Sequence, residues 1–269
     1  MYDDSGREEL KDKKFTQDVE NESIPNKYYH RLVAKQKTFK NINFKFCIFD
    51  NAYLRKCVFE NCDFTGCKFV NSNLVGSSFE GCKFDYATFD KTLIENVVLN
   101  SSCPDRDNLK LKFARSLRLN YQQLGDATSA NKAMNVELAA TRRHHWNAWC
   151  ANDQYHRSKY KGVGRLKAFW DWLVFVSLDA IWGNGESLLK LIRAAFVVLL
   201  IITIFEVCQS PDANKISSYW EGLITSPQIF LGVIDPVYIS DAGQTAIYFV
   251  RLVMFAFFMS ITIKRFNRR

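Results

Sequence analysis

Residues 44–99 read FKFCIFDNAYLRKCVFENCDFTGCKFVNSNLVGSSFEGCKFDYATFDKTLIENVVL. A large apolar residue returns in this stretch at every fifth position: Phe44, Phe49, Leu54, Phe59, Phe64, Phe69, Leu74, Phe79, Phe84, Phe89, Ile94 and Leu99. A period of five matches neither the 3.6 of a helix nor the 2 of a strand; a chain that turns a corner in each repeat would meet it. Two residues before each large side chain stands a compact one: Ile42, Cys47, Ala52, Cys57, Cys62, Cys67, Ser72, Ser77, Cys82, Ala87, Thr92 and Val97. Four such sides close a square coil. The large residue fills the axis, the compact one lets backbones approach, and successive coils stack at the inter-strand spacing of about 4.8 Å. Residues twenty apart then lie above one another. This puts Cys62 beneath Cys82, Cys47 beneath Cys67, and Phe44 beneath Phe64 and Phe84 in about three coils. The cysteines are expected to be small buried core residues rather than a metal or redox site.

The alternation resembles the pentapeptide-repeat family, whose pattern is A(D/N)LXX, with Phe preferred here at the centre and Cys often replacing Ala. The resemblance implies a right-handed quadrilateral β-helix over residues 39–100. Some members of that family imitate the shape and negative charge of DNA and bind topoisomerases. Here residues 40–100 carry seven charges of each sign, so a rigid cytosolic scaffold is expected instead, with exposed ends that need capping.

Around the repeat the 269 residues, 48% hydrophobic and 24% charged with a net charge of +8, are unevenly arranged. Residues 1–38 form a charged segment beginning MYDDSGREELKDKKF. It has no apolar core, so no signal peptide is expected and the N-terminal part should stay in the cytosol. Residues 101–193 carry fifteen Lys or Arg against eight Asp or Glu, residues 206–244 carry one against five, and four basic residues follow from Lys264. Basic charge beside apolar runs suits the positive-inside rule better than a nucleic-acid groove, and no nucleic-acid partner is expected.

Residues 101–163 read as a helical connector. Leu109, Phe113, Leu117 and Tyr121 recur at a spacing of four, the pattern of an amphipathic helix. Leu124-Gly125-Asp126 marks its end and the N-cap of a second helix carrying Ala133, Val136 and Ala140. The pair is similar to a single tetratricopeptide-type hairpin and is expected to cap the coil or contact another subunit. Adjacent His144 and His145 point about 100° apart on a helix and lack a third ligand, so they read as surface residues. Residues 164–186 are expected to form an amphipathic helix along the membrane interface, anchored by Trp170, Trp172 and Trp182, with a buried core helix as the alternative.

Residues 187–266 contain two apolar runs, Leu188 to Val207 and Gln244 to Ile263, each twenty residues long and sufficient to cross the hydrocarbon core. Both termini then face the cytosol, with residues 267–269 a basic tail. Arg251 interrupts the second run, where an ionisable group is expensive; Glu206 is its candidate intramembrane partner, and lining a pore is the alternative. The connecting segment is broken by Pro227, Gly232 and Pro236, and Ser217 to Ser226 suits a short re-entrant helix. The order of span, short helix, Gly-containing strand, turn and span resembles a two-helix pore-loop subunit akin to potassium channels. Ile181-Trp182-Gly183-Asn184-Gly185-Glu186-Ser187 is similar to the turn found in bacterial proteins that join pentapeptide repeats to an ion-channel domain. The resemblance implies a filter at Phe230-Leu231-Gly232-Val233-Ile234-Asp235, with Thr225 and Ser226 ending the pore helix and Phe255 to Ser260 along the inner lining. Phe230 and Ile234 replace the Thr and second Gly of a potassium filter, so selectivity is expected to be weak or altered.

The expected architecture is thus mixed: a cytosolic β-helix, a helical connector, and an all-α two-span membrane domain with a re-entrant pore loop. The expected function is an oligomeric ion channel of the bacterial inner membrane, a homotetramer by resemblance. Its repeats would sense or assemble, and its opening could depolarise the cell. The alternative is a non-conducting membrane-anchored scaffold whose repeats bind a cytosolic protein. No Gly-rich phosphate loop, nucleophile elbow or paired catalytic carboxylates suggest an enzyme. The expected partners are the lipid bilayer, ions and other copies of the chain, and no cofactor or metal is expected.

Overall fold

The computed structural model describes residues 6–151, 154–185, 187–211 and 213–266. The chain divides into two units, Met1–Phe169 and Trp170–Arg269.

In the first unit short strands follow one another as β1 (Glu8–Lys11), β2 (Val19–Glu20), β3 (Lys27–His30), β4 (Val33–Lys35), β5 (Thr38–Lys40), β6 (Ile48–Asp50), β7 (Tyr53–Arg55), β8 (Val58–Glu60), β9 (Lys68–Val70), β10 (Ser78–Glu80) and β11 (Thr88–Asp90). Their pairings are parallel. One sheet runs β1-β3-β6-β9-β11, a second β2-β5-β8-β10, and a third β4-β7. The remaining side is joined by bridges from Ser23 through Asn43 and Asp63 to Lys83. Phe49 lies opposite Phe69, and Phe69 opposite Phe89, which is the expected register of twenty residues. The result is a β-solenoid of about 4 turns. It starts at Glu8, inside the segment that the sequence reading set apart as 1–38, and therefore adds a turn to the three expected. Only in this first turn does the register tighten, Glu8 pairing with Lys27.

Aromatic ladders fill the axis. Phe44, Phe64 and Phe84 stack with centroids 5.2 and 5.0 Å apart, and Phe49, Phe69 and Phe89 at 4.9 and 5.1 Å. Phe39, Phe59 and Phe79 make a third ladder at 5.0 and 5.1 Å. Ala34, Leu54, Leu74 and Ile94 are buried on the remaining corner. Neighbouring ladders meet edge to face, as Phe59 and Phe64 do at 76°, the arrangement that the ring quadrupole favours. From Phe39 to Phe89 the second residue after each centre turns the corner with positive φ: Asn41, Asn51, Asn61, Gly66, Asn71, Gly76 and Gly81 lie between 48° and 74°, and Phe46, Lys56, Tyr86 and Lys91 take the same conformation at 62°, 55°, 59° and 47°. Asn and Gly enter that region most readily, which explains their recurrence.

The compact residues do more than allow close approach. Cys67 Sγ donates to Phe44 O at 2.9 Å, Ser72 Oγ to Phe49 O at 3.0 Å, Ser77 Oγ to Leu54 O at 2.6 Å and Cys62 Sγ to Phe39 O at 3.3 Å. Each reaches the carbonyl of a central residue in the coil before it, at an interval of 23 residues. Cys is therefore used as a small residue with a weak donor. Burial pushes the Cys47 thiol from its ordinary 9.0 up to about 11, so the reactive thiolate is disfavoured.

A helical cap closes the last turn. After α1 (Val98–Ser101) come α2 (Asp107–Gln123) and α3 (Ala127–Cys150), close to the two helices expected. Asp126 caps α3 by accepting from Ser129 N at 3.0 Å, and this bonding lowers its carboxyl pKa. On α2, Phe113 lies 5.6 Å from Phe84 and 6.0 Å from Phe89. Ser116 Oγ accepts from Phe89 N at 2.9 Å and Gln123 Oε1 from Lys91 N at 3.2 Å. Asn120 accepts from Thr92 N at 2.7 Å and donates to Thr92 O at 2.8 Å. Side-chain groups of α2 thus stand where the backbone of a further coil would be, which satisfies an otherwise open strand edge. Glu137, buried between α2 and α3, accepts from Arg115 at 2.7 Å and Arg118 at 2.8 Å.

Beyond α4 (Gln154–Lys159), α5 (Val163–Trp182) leads into α6 (Leu188–Cys208), α7 (Ile216–Leu231) and α8 (Asp241–Phe266). Helices α6 and α8 are long and apolar enough to cross a membrane, and only 17% and 11% of their apolar windows are buried. Buried helices of a soluble core would show the opposite. The basic tail at 267–269 lies outside the described residues.

Candidate membrane site

The α5–α6 corner is set by three consecutive left-handed residues, Gly183, Asn184 and Gly185; Glu186 lies outside the described residues. Ser187 caps α6 by accepting from Lys190 N at 3.3 Å. Lys190 Nζ bonds Asp179 at 2.8 Å and Arg193 Nη2 donates to Ala180 O at 2.9 Å, so two cations meet the negative end of α5. Of the three expected interface tryptophans, Trp170 is exposed and Trp172 half-buried. Trp182 instead stacks on Phe257 at 4.0 Å and belongs to the packing of α5 against α8.

Helix α7 lies on α6 through Gly222. A Cβ there would approach Val207 to 2.9 Å and Thr203 to 3.1 Å, and Thr203 Oγ1 lies 3.3 Å from Gly222 O. The helix continues beyond Ser226, where the short helix was expected to end, through Pro227 to Leu231. Proline leaves the carbonyl four residues earlier without its partner, and Ser226 Oγ donates to that carbonyl, Leu223 O, at 3.2 Å. Phe230 and Leu231 are therefore helical, not extended as a filter strand would require. Gly232 follows as a left-handed C-cap, φ 74° and ψ 30°. Gly232 N bonds Ile229 O at 3.0 Å and Val233 N bonds Gln228 O at 2.8 Å, the closure that uses up the last helix carbonyls. Thr225 and Ser226 sit within α7, while Val233, Ile234 and Asp235 form the exposed turn after it.

Nor do Glu206 and Arg251 form the expected pair. The Glu206 carboxylate accepts from Val237 N at 2.7 Å and Tyr238 N at 3.2 Å, which pins the α7–α8 loop to the end of α6. Arg251 stands 4.7 Å over the Tyr248 ring, and its guanidinium fills the space beside Gly232. There it faces the carbonyl end of α7, a favourable place for a cation. Asp235 Oδ1 accepts from Gln244 Nε2 at 2.6 Å and from Tyr248 Oη at 3.4 Å. The site is thus a polar seam at one end of three apolar helices, linking Glu206, Asp235, Gln244, Tyr248 and Arg251. Sequence reasoning missed Gln244 and Tyr248; their spacing of four on α8 was the available signal.

In the first unit a cleft of about 620 Å³ is lined by Asp105, Asp107, His144, Asn147 and His156. His144 is half-buried there with Nε2 3.4 Å from Tyr160 Oη, rather than on the open surface. Burial, then the neighbouring His145 and His156, lower its pKa.

Among known families, residues 54–102 match the model described as pentapeptide repeats (9 copies), a stretch that lies within the solenoid and its first capping helix. No curated protein matches the chain. The repeat domain is accordingly similar to pentapeptide-repeat proteins, and helices α2 to α8 extend beyond that likeness.

Proposed function

We propose that the chain is a subunit of an oligomeric ion channel of the bacterial inner membrane, with both termini cytosolic and the solenoid as its sensing or assembly domain. One observation carries this reading: the order of the second unit, a span, a shorter helix packed on it through Gly222, a left-handed glycine turn and a second span. Pore-loop subunits share that order. A single such subunit encloses no path, so copies must meet around an axis, and a tetramer is the assembly proposed by resemblance. Phe230 and Leu231 lie within α7 rather than in an extended strand that would aim successive carbonyls at an ion, which argues for weak cation selectivity rather than a potassium filter.

The test is the mass of the full chain in detergent followed by ion flux in vesicles. A tetramer with flux altered by Asp235→Asn supports the channel; a monomer or dimer, or vesicles that stay tight, removes it. The helical closure at Phe230 to Gly232 favours a second reading, a non-conducting scaffold whose repeats bind a cytosolic protein. That reading predicts tight vesicles and a soluble partner captured through the solenoid.

A further inference from the structure

We propose that the groove between α5, α6 and α8 binds an anionic glycerophospholipid, its phosphate on Arg193 and an acyl chain along the apolar walls. The groove measures about 450 Å³, and its walls include Ala194, Val197 and Val198 of α6 and Phe249, Val253 and Met254 of α8. Arg193 is the charged residue among those that line it. Its position five residues into α6 places it about 8 Å below the helix start, on the basic side of the span.

Two observations make Arg193 a headgroup contact. Its Nη2 is held by Ala180 O at 2.9 Å, which fixes the guanidinium at the rim and leaves Nε and Nη1 to donate. Among the described residues no carboxylate lies within ion-pair distance of it, whereas Lys190, one turn away, is neutralised by Asp179. A guanidinium matches phosphate oxygens in a two-point geometry, and basic pockets between membrane helices on the cytoplasmic side suit acidic headgroups. The charge also selects lipid over another copy. Copies related by rotation about the membrane normal bring Lys190 and Arg193 to the same level, and Asp179 at that level is already engaged.

The inference rests on the membrane insertion in the proposed function, not on conduction. It is tested on the full chain, delipidated in detergent and offered dioleoylphosphatidylglycerol or dioleoylphosphatidylcholine at equal concentration, with retained lipid counted by native mass spectrometry. The wild type should retain the anionic lipid about fivefold better, the effect of one basic residue near an anionic headgroup. Arg193→Gln should abolish the preference, Arg193→Lys should keep part of it, and Val253→Trp, which fills the groove, should reduce retention of both lipids. Equal retention by the wild type, or an unchanged preference in Arg193→Gln, overturns the site. So does a Val197→Cys chain that crosslinks to a second copy through the groove. If Arg193→Gln fails to fold, undiminished retention of both lipids by Val253→Trp gives the same negative answer. A chain absent from the membrane fraction sinks the proposed function as well, whereas equal retention by an inserted chain sinks the lipid site alone.

Discussion

Large apolar side chains serve opposite ends in the two units. In the solenoid Phe64 and Phe69 are 1% and 0% exposed, held between identical rings above and below; on α6 and α8, Leu189, Phe249 and Leu252 are 81%, 67% and 65% exposed. The coil buries its apolar residues against its own chain because every neighbour is supplied twenty residues away. Helices α6, α7 and α8 meet through the small apolar cluster of Leu191, Met254 and Ile261 and through close approaches such as Gly222 on Thr203 and Arg251 beside Gly232, and leave many of their large apolar side chains outward. One unit buries its large apolar side chains within itself, and the other leaves many of them exposed.

The sharpest way to break this contrast is to truncate one large apolar side chain in each unit. Phe64→Ala should destabilise the coil by about 3–5 kcal/mol, read as a lower urea midpoint of the full chain in detergent. Leu252→Ala should change it by less than about 0.5 kcal/mol. Equal effects would mean that α8 is buried in a protein core. At the helix seam, Gly222→Val should cost about 1–3 kcal/mol because its added carbons meet Val207 and Thr203; an unaltered melting temperature would deny the close approach of α7 to α6. Asn120→Ala should cost about 1–3 kcal/mol by leaving the Thr92 N–H and carbonyl unmet. It should also raise self-association through the exposed edge, seen as a larger mass in light scattering. The smallest effect is expected from Cys47. Its pKa is raised on folding from 9.0 to about 11, so its contribution is complete below pH 9 and is lost as pH rises to 11. The urea midpoint should fall across that window, and Cys47→Ala should flatten the fall.

The coil was legible from Phe44 onward because both marks of the repeat, the large centre and the compact residue before it, coincide there. The earlier turn keeps the centres, Val19, Tyr29, Ala34 and Phe39, but puts Leu32, Lys27 and Lys37 where a compact residue was sought. An end turn has fewer coils behind it, so those positions need not be small. The cap was legible in the apolar spacing of α2, whereas its hydrogen bonding was not. Ser116, Asn120 and Gln123 look like an ordinary polar helix face until the strand edge is beside them. In the second unit the two helices long and apolar enough to cross a membrane were plain from length and composition. The filter reading failed at Pro227, taken as a breaker, because a hydroxyl one residue earlier satisfies the carbonyl that proline leaves open. The Glu206–Arg251 pairing failed for a related reason: backbone N–H groups and a helix end answered each charge locally.

The left-handed corners of the solenoid set a rule for how such a molecule can change length. A single inserted residue would move a side chain from axis to surface and shift each left-handed corner onto a neighbouring residue, and every later repeat would inherit the error. Growth is therefore possible only in whole repeats. Because α2 fits an edge presented by Phe84, Phe89 and Thr92, adding one, two or three repeats would turn a different side toward the cap. The coil can lengthen under its existing lid only by a complete turn, so variation in this architecture should come in steps of twenty residues.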